Sequence, residues 1–88
     1  MSGGTFDYDQ YKIDQIAETI QSYIYKNGKE DWMNYSVQTM REFQNAVIFL
    51  TTAAVYAQRI DWLLAGDDDE ATFHERLRED LTKLKHER

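Results

Sequence analysis

The chain has 88 residues and carries 10 lysines and arginines against 16 aspartates and glutamates, a formal net charge of −6. That length makes one small domain, just above the size at which a single hydrophobic core suffices. A content of 42% hydrophobic and 14% aromatic residues excludes wholesale disorder. The absence of cysteine excludes disulfide scaffolds, thiolate metal sites and thiol catalysis. The acidic balance argues against unaided binding to nucleic acid or to an anionic membrane, both of which need a basic surface.

Residues 1–8 read as an arm containing Gly3 and Gly4. With no basic or apolar leader, they do not resemble a secretory signal, and a cytoplasmic location, in a host cell, is expected. A first helix is expected over residues 9–26, because Ile13, Ile16, Ala17, Ile20 and Ile24 repeat at the spacing of one helical face. Asp7 and Asp9 at its start and Lys26 at its end suit the helix dipole. Asn27-Gly28 supplies a stop, since both residues tolerate left-handed backbone.

A second, longer helix is expected over residues 36–64, with Ser36 as its N-cap. Met40, Phe43, Val47, Leu50, Ala54, Ala57 and Leu64 form its seam, interrupted by Asp61, and Ile48, Val55 and Trp62 form a second apolar strip. Apolarity on several sides predicts a central helix packed on several sides. Its most apolar stretch, residues 46–57, falls short of the roughly 18 residues of a membrane span. Residues 29–35 are left open between an added helical turn and a loop. A third helix over 70–85 is expected to bury Phe73, Leu77, Leu81 and Leu84, with Arg76/Asp80 and Glu79/Lys83 as solvated pairs outside.

These elements predict a small all-α three-helix bundle, up-down-up, with a long central helix. At 1.5 Å per residue the second helix spans roughly 43 Å and the first about 27 Å, which leaves about 16 Å of the second uncovered. An extended arm at up to about 3.3 Å per residue bridges that gap. The arm is therefore expected beside the end of helix two, where the third helix also begins.

That end holds the least ordinary chemistry. Asp61 lies in the last helical turn, where the dipole disfavours a carboxylate, and Asp67, Asp68 and Asp69 follow Gly66. Compensating partners within reach are the amino terminus, the N–H groups of Gly3 and Gly4, Arg59 and Arg76. The candidate binding end comprises Ser2, Gly3, Gly4, Phe6, Tyr8, Arg59, Asp61, Trp62, Gly66, Asp67 and Asp68. For residues 67–70 the alternative is a solvated loop capping the next helix. Asp61 is either a structural acceptor for the arm or a contact for a ligand or partner.

No cofactor or metal is expected. Counting from Asp67, Thr72 and Arg78 occupy the places where a calcium loop needs glycine and glutamate. Glu70 and His74 make only one ligand pair, and His74-Glu75 lacks the second histidine of a zinc protease helix. No phosphate-cradling loop, nucleophile elbow or dinucleotide fingerprint occurs, so an enzyme is not expected. Tyr11 and Tyr25 point away from the isoleucine stripe, and Trp32 and Tyr35 flank Met33 in the first connection. Aromatics outside a core make a candidate partner surface, with self-association and plain packing as the alternatives.

Two blocks, MSGGTFDY at residues 1–8 and YAQRIDWLLAGDD at residues 56–68, followed by FHERL at 73–77, resemble a family of small phage and prophage proteins. Ala65 stands where that family commonly has serine, and Asp69 where glycine is frequent. The resemblance implies a genetic context, an accessory phage protein, and no activity. The functional expectation is an inhibitor that binds a host protein such as a defence nuclease complex, in the manner of an anti-CRISPR. A small-ligand binder with its site at the arm and Asp61 is one alternative, and a structural homodimer or larger homo-oligomer the other.

Overall fold

The computed structural model describes residues 4–87. Three helices follow in order, α1 (Gln10–Lys26), α2 (Val37–Leu64) and α3 (Glu70–Glu87), within one or two residues of the expected bounds. Helix α1 packs on α2 and α2 on α3, giving the all-α three-helix bundle. The bundle is open: among the described residues α1 and α3 each pack along α2, and no Cα of α1 comes within 8 Å of one of α3. The chain measures 50 × 26 × 14 Å, elongated and flattened along its shortest axis.

This open arrangement corrects the expected burial. Among the described residues Ala17, Met33 and Met40 are the buried hydrophobic ones, while Phe73, Leu77, Leu81 and Leu84 of α3 are half-buried. On the seam of α2, Leu64 is exposed, and on the stripe of α1 so is Ile16. Helix α2 is central, but it is covered on two flanks rather than all round. By length and composition it is also long and apolar enough to cross a membrane, which the shorter 46–57 window did not reveal.

The ends of the helices follow local chemistry. Ser36 has extended backbone and its hydroxyl accepts from the Thr39 N–H at 3.2 Å, the expected N-cap of α2. The connection between α1 and α2 is a loop. Gly28 N–H donates to the Met33 carbonyl at 2.8 Å, and the Asn27 side chain bonds both the N–H and the carbonyl of Tyr35. The tight loop tucks Met33 inside and leaves Trp32 outside. At the far end, Gly66 adopts φ +87°, and the Asp67 N–H reaches back to the Trp62 carbonyl at 2.9 Å. This left-handed turn satisfies the last carbonyls of α2 and reverses the chain into α3. Asp80 departs from the expected outer face of α3. It turns inward to Arg59 instead of pairing with Arg76.

Candidate functional site

The arm does fold back onto the end of α2. Asp61 has no exposed surface, and its carboxylate accepts from the Gly4 N–H at 3.1 Å, the Thr5 N–H at 2.7 Å and the Gln10 side-chain amide at 2.9 Å. A carboxylate in the last turn of a helix faces unpaired carbonyls and an unfavourable dipole. Here the donors come from a segment more than fifty residues away, so the repulsive position is converted into a long-range tie. Burial pushes the Asp61 pKa up, and the hydrogen bonds from Thr5, Gln10 and Gly4 together outweigh it, leaving the carboxyl below the ordinary 3.8.

The arm reaches Asp61 by coiling rather than by extending as expected. Successive turns join Asp7 N–H to the Gly4 carbonyl at 3.2 Å, Asp9 N–H to Phe6 at 3.0 Å and Tyr11 N–H to Tyr8 at 3.1 Å. Gly4 takes φ +94°, and Asp7 and Tyr8 both take left-handed backbone at φ 53° and 61°. Such a conformation costs a non-glycine residue roughly 1–2 kcal/mol. The ties at Asp61 and the stacking of Tyr8 on Tyr11, with ring centroids 6.2 Å apart, hold it in place.

The aspartates that surround Asp61 in sequence separate in space. Arg59 does not serve Asp61. Its Nε donates to Asp80 at 2.7 Å, its Nη1 lies 3.6 Å from Asp68, and its guanidinium sits 4.6 Å over the Trp62 ring. That arrangement pins α3 to α2. Asp69 caps α3 by accepting from the Thr72 N–H at 2.7 Å, and those Thr72 hydrogen bonds lower its pKa against a smaller opposing effect of burial. Asp67 is exposed, as the solvated-loop alternative had it. Arg76 is exposed and reaches none of them.

Of the expected site, the structure therefore brings together Gly4 and Asp61, and separately Arg59, Trp62 and Asp68. Phe6 and Tyr8 belong to the arm and are half open to solvent, and Gly66 serves the turn. Ser2 and Gly3 lie outside the described residues. Of the two alternatives for Asp61, the structure has the structural acceptor: both carboxylate oxygens take hydrogen bonds from the arm and Gln10, and the side chain has no exposed surface.

Gln10, Thr5, Gln58 and Asp80 were missed in sequence. Gln10 is buried and ties Asp61 to the Gln58 side chain at 3.0 Å. Its position seven residues before Ala17, and so on the same helical face, was a legible signal. Thr5 contributes through its backbone as well as its hydroxyl, and the backbone contribution leaves no trace in sequence.

Of the four candidate surface aromatics, all are exposed; Tyr25 ends α1, and Trp32 and Tyr35 lie on the connection that follows. Tyr25 is 74% and Trp32 66% exposed, with Tyr35 nearby on the same loop and Tyr23 edge-on to Trp32 at 6.3 Å. Lys29 lies 3.6 Å over the Tyr25 ring and Lys26 5.7 Å over Tyr23. Tyr11 stands apart, beside the arm. It lines a groove of about 460 Å³ between α1 and α3, together with Gln10, Asp14, Glu18, Arg59 and Trp62. Among the described residues no three metal-ligating side chains gather.

No known protein family, curated protein or solved structure matches this chain.

Proposed function

We propose that this protein is a phage-encoded accessory protein that acts without catalysis, binding a host protein through the aromatic cluster at the α1–α2 connection. The supporting observation is the exposure of Tyr25, in the last turn of α1, and of Trp32 and Tyr35 on the loop that follows, which Asn27 and Met33 hold in place. Rigid, exposed tryptophan and tyrosine lose little conformational entropy on docking and dominate the energetics of protein interfaces. Lys26 and Lys29 over the Tyr23 and Tyr25 rings, with Glu30 and Asp31 following on the loop, set charges of both signs beside the aromatics, which adds orientation to the contact. A defence nuclease or its recognition complex is the target class. Asp14 and Glu18, the two carboxylates of α1, compete for a basic nucleic-acid channel while the aromatics anchor. The phage context rests on the resemblance of the two sequence blocks, which meet where Gly4 and Thr5 bind Asp61.

Affinity capture from infected cells with wild-type and Trp32→Ala/Tyr25→Ala baits in parallel tests this reading. A host protein retained by the wild type and lost by the variant supports it. Addition to purified defence complexes then abolishes their nucleic-acid binding or cleavage near stoichiometry, and indifference across a broad panel refutes the target class.

A second reading, a small-ligand binder, is favoured by one observation. Gln10 Oε1 is buried without a partner, and Gln10 lines the groove between α1 and α3. A ligand with a hydrogen-bond donor and a cationic group would suit that groove. A thermal-shift screen separates the readings, because a ligand in hundredfold excess over Kd stabilises the fold by about 2.7 kcal/mol.

A further inference from the structure

The open architecture leaves one broad face uncovered. On α2, Phe49, Ala53, Tyr56, Ile60 and Leu64 recur at helical spacing on the side opposite the groove. Ile13 and Phe6 join Ile60 and Ala57 around a depression of about 570 Å³, which places the arm and α1 on the same side. Phe49 is 72% exposed, Leu64 62% and Ile16 53%. The one carboxylate in the Phe49 to Leu64 stretch, Asp61, is turned into the arm, and the charged residues that border the depression, Asp9 and Lys12, pair with each other at 3.1 Å.

The amount of uncovered surface decides what covers it. The chain exposes 6551 Å², a surplus on the order of 1,000 Å² over the roughly 5,400 Å² of a compact monomer of 10.4 kDa. Its radius of gyration is 15.9 Å, against about 12 Å for a compact domain of this length. A stable protein–protein interface removes about 800 Å² from each partner. The surplus and the requirement are of one size. Three buried hydrophobic side chains among the described residues are also a small interior for a domain of this size. A fold this open needs a partner present whenever the chain is made, in equal amount and of matching shape. A second copy of the chain meets all three conditions.

We infer that this protein is a two-fold homodimer in which the Phe49/Tyr56/Leu64 face of α2, flanked by Ile16 and Phe6, packs against the same face of a second copy. Two flattened sets of helices then enclose a shared core, and the interface is isologous. Ala53 in the middle of the face lets the paired helices approach closely. The groove between α1 and α3 lies on the opposite side of α2 from this face, so the dimer presents two of it. This inference is independent of the proposed host target.

Light scattering coupled to gel filtration on the full chain at micromolar concentration reads the mass directly. Twice 10.4 kDa is expected for the wild type and for Trp32→Ala, and half that mass for Phe49→Glu and Leu64→Glu. A wild-type chain of single mass overturns the inference. If that monomer floats with phosphatidylcholine–phosphatidylglycerol vesicles, the face belongs to a bilayer instead. Should the glutamate variants fail to fold by circular dichroism, the absence of native cysteine provides a second route. Single cysteines at Phe49, Ala53, Tyr56 and Leu64 are oxidised alongside Tyr25→Cys. Rapid disulfide-linked dimers from at least one of the face positions, and none from Tyr25→Cys, support the pairing. The reverse pattern, or no cross-link at any face position, overturns it.

Discussion

Replacing Arg59 by methionine keeps much of the side-chain volume and removes the charge that fastens α3 to α2. The side chain is only 12% exposed, as is nearly true of Asp68, whereas Asp80 is about one-third exposed. Loss of one partner from a fully buried ion pair costs about 3–5 kcal/mol, because the other charge is left without compensation. Asp80 regains water when released and so escapes most of that penalty. Asp68 does not, since its Oδ2 is buried and has no hydrogen bond to fall back on. The stacking on Trp62 is lost as well. A destabilisation of about 2–3 kcal/mol follows, one charge-assisted hydrogen bond plus part of a stranded carboxylate. Against a total near 4–13 kcal/mol for a chain of this length, the effect is large. Urea titration followed by circular dichroism at one fixed protein concentration measures it. With a slope of about 1 kcal/mol per molar urea, the midpoint falls by about 2–3 M. A double-mutant cycle with Asp80→Asn should return a coupling of at least about 1 kcal/mol. A midpoint within about 0.5 M of wild type, with no coupling, would refute Arg59 as the fastening of α3.

Met33→Ala, at the buried centre of the first connection, should cost about 2–4 kcal/mol in the same titration. It should also raise the proteolytic sensitivity of residues 27–36. Ser36→Ala removes the N-cap of α2 and should cost about 1 kcal/mol, with Ser36→Gly milder. Asp61 and Asp69 both have lowered pKa values in the fold, so each binds its proton more readily when unfolded. Their stabilisation is complete above the ordinary aspartate value of 3.8 and is lost as the pH falls through the lower folded-state values. Thermal denaturation across this acid range should therefore show a slope that shrinks in Asp61→Asn and in Asp69→Asn. An unchanged slope in both variants would contradict the assignments.

The helices were legible because the chain punctuates itself. Asn27-Gly28, Ser36 and Gly66 lie where backbone chemistry ends or begins a helix, and the isoleucine stripe of α1 repeats at a single period. The convergence of the arm on Asp61 was also legible, from helix lengths and one misplaced carboxylate. What escaped was the pairing of side chains between helices. Periodicity placed Asp80 outside α3 because an aspartate beside Arg76 has a local partner, and only the approach of α2 supplies Arg59 as a better one. Periodicity likewise assigned Ile16 and Leu64 to an interior, since a hydrophobic stripe does not say whether its cover comes from the same chain. Met33 hid among exposed aromatics, because a tight loop decides by its turns which side chain points in.

The account rests on the buried clasp between Asp61 and the arm, and amide NMR tests it most directly. With nitrogen-15 labelling, the Gly4 and Thr5 N–H resonances should lie well downfield of unstructured positions. Both should titrate together, with a midpoint below 3.8, and collapse towards unstructured shifts in Asp61→Asn. Resonances for these two amides at unstructured positions in the wild type, indifferent to acid and to the Asp61 substitution, would contradict the clasp.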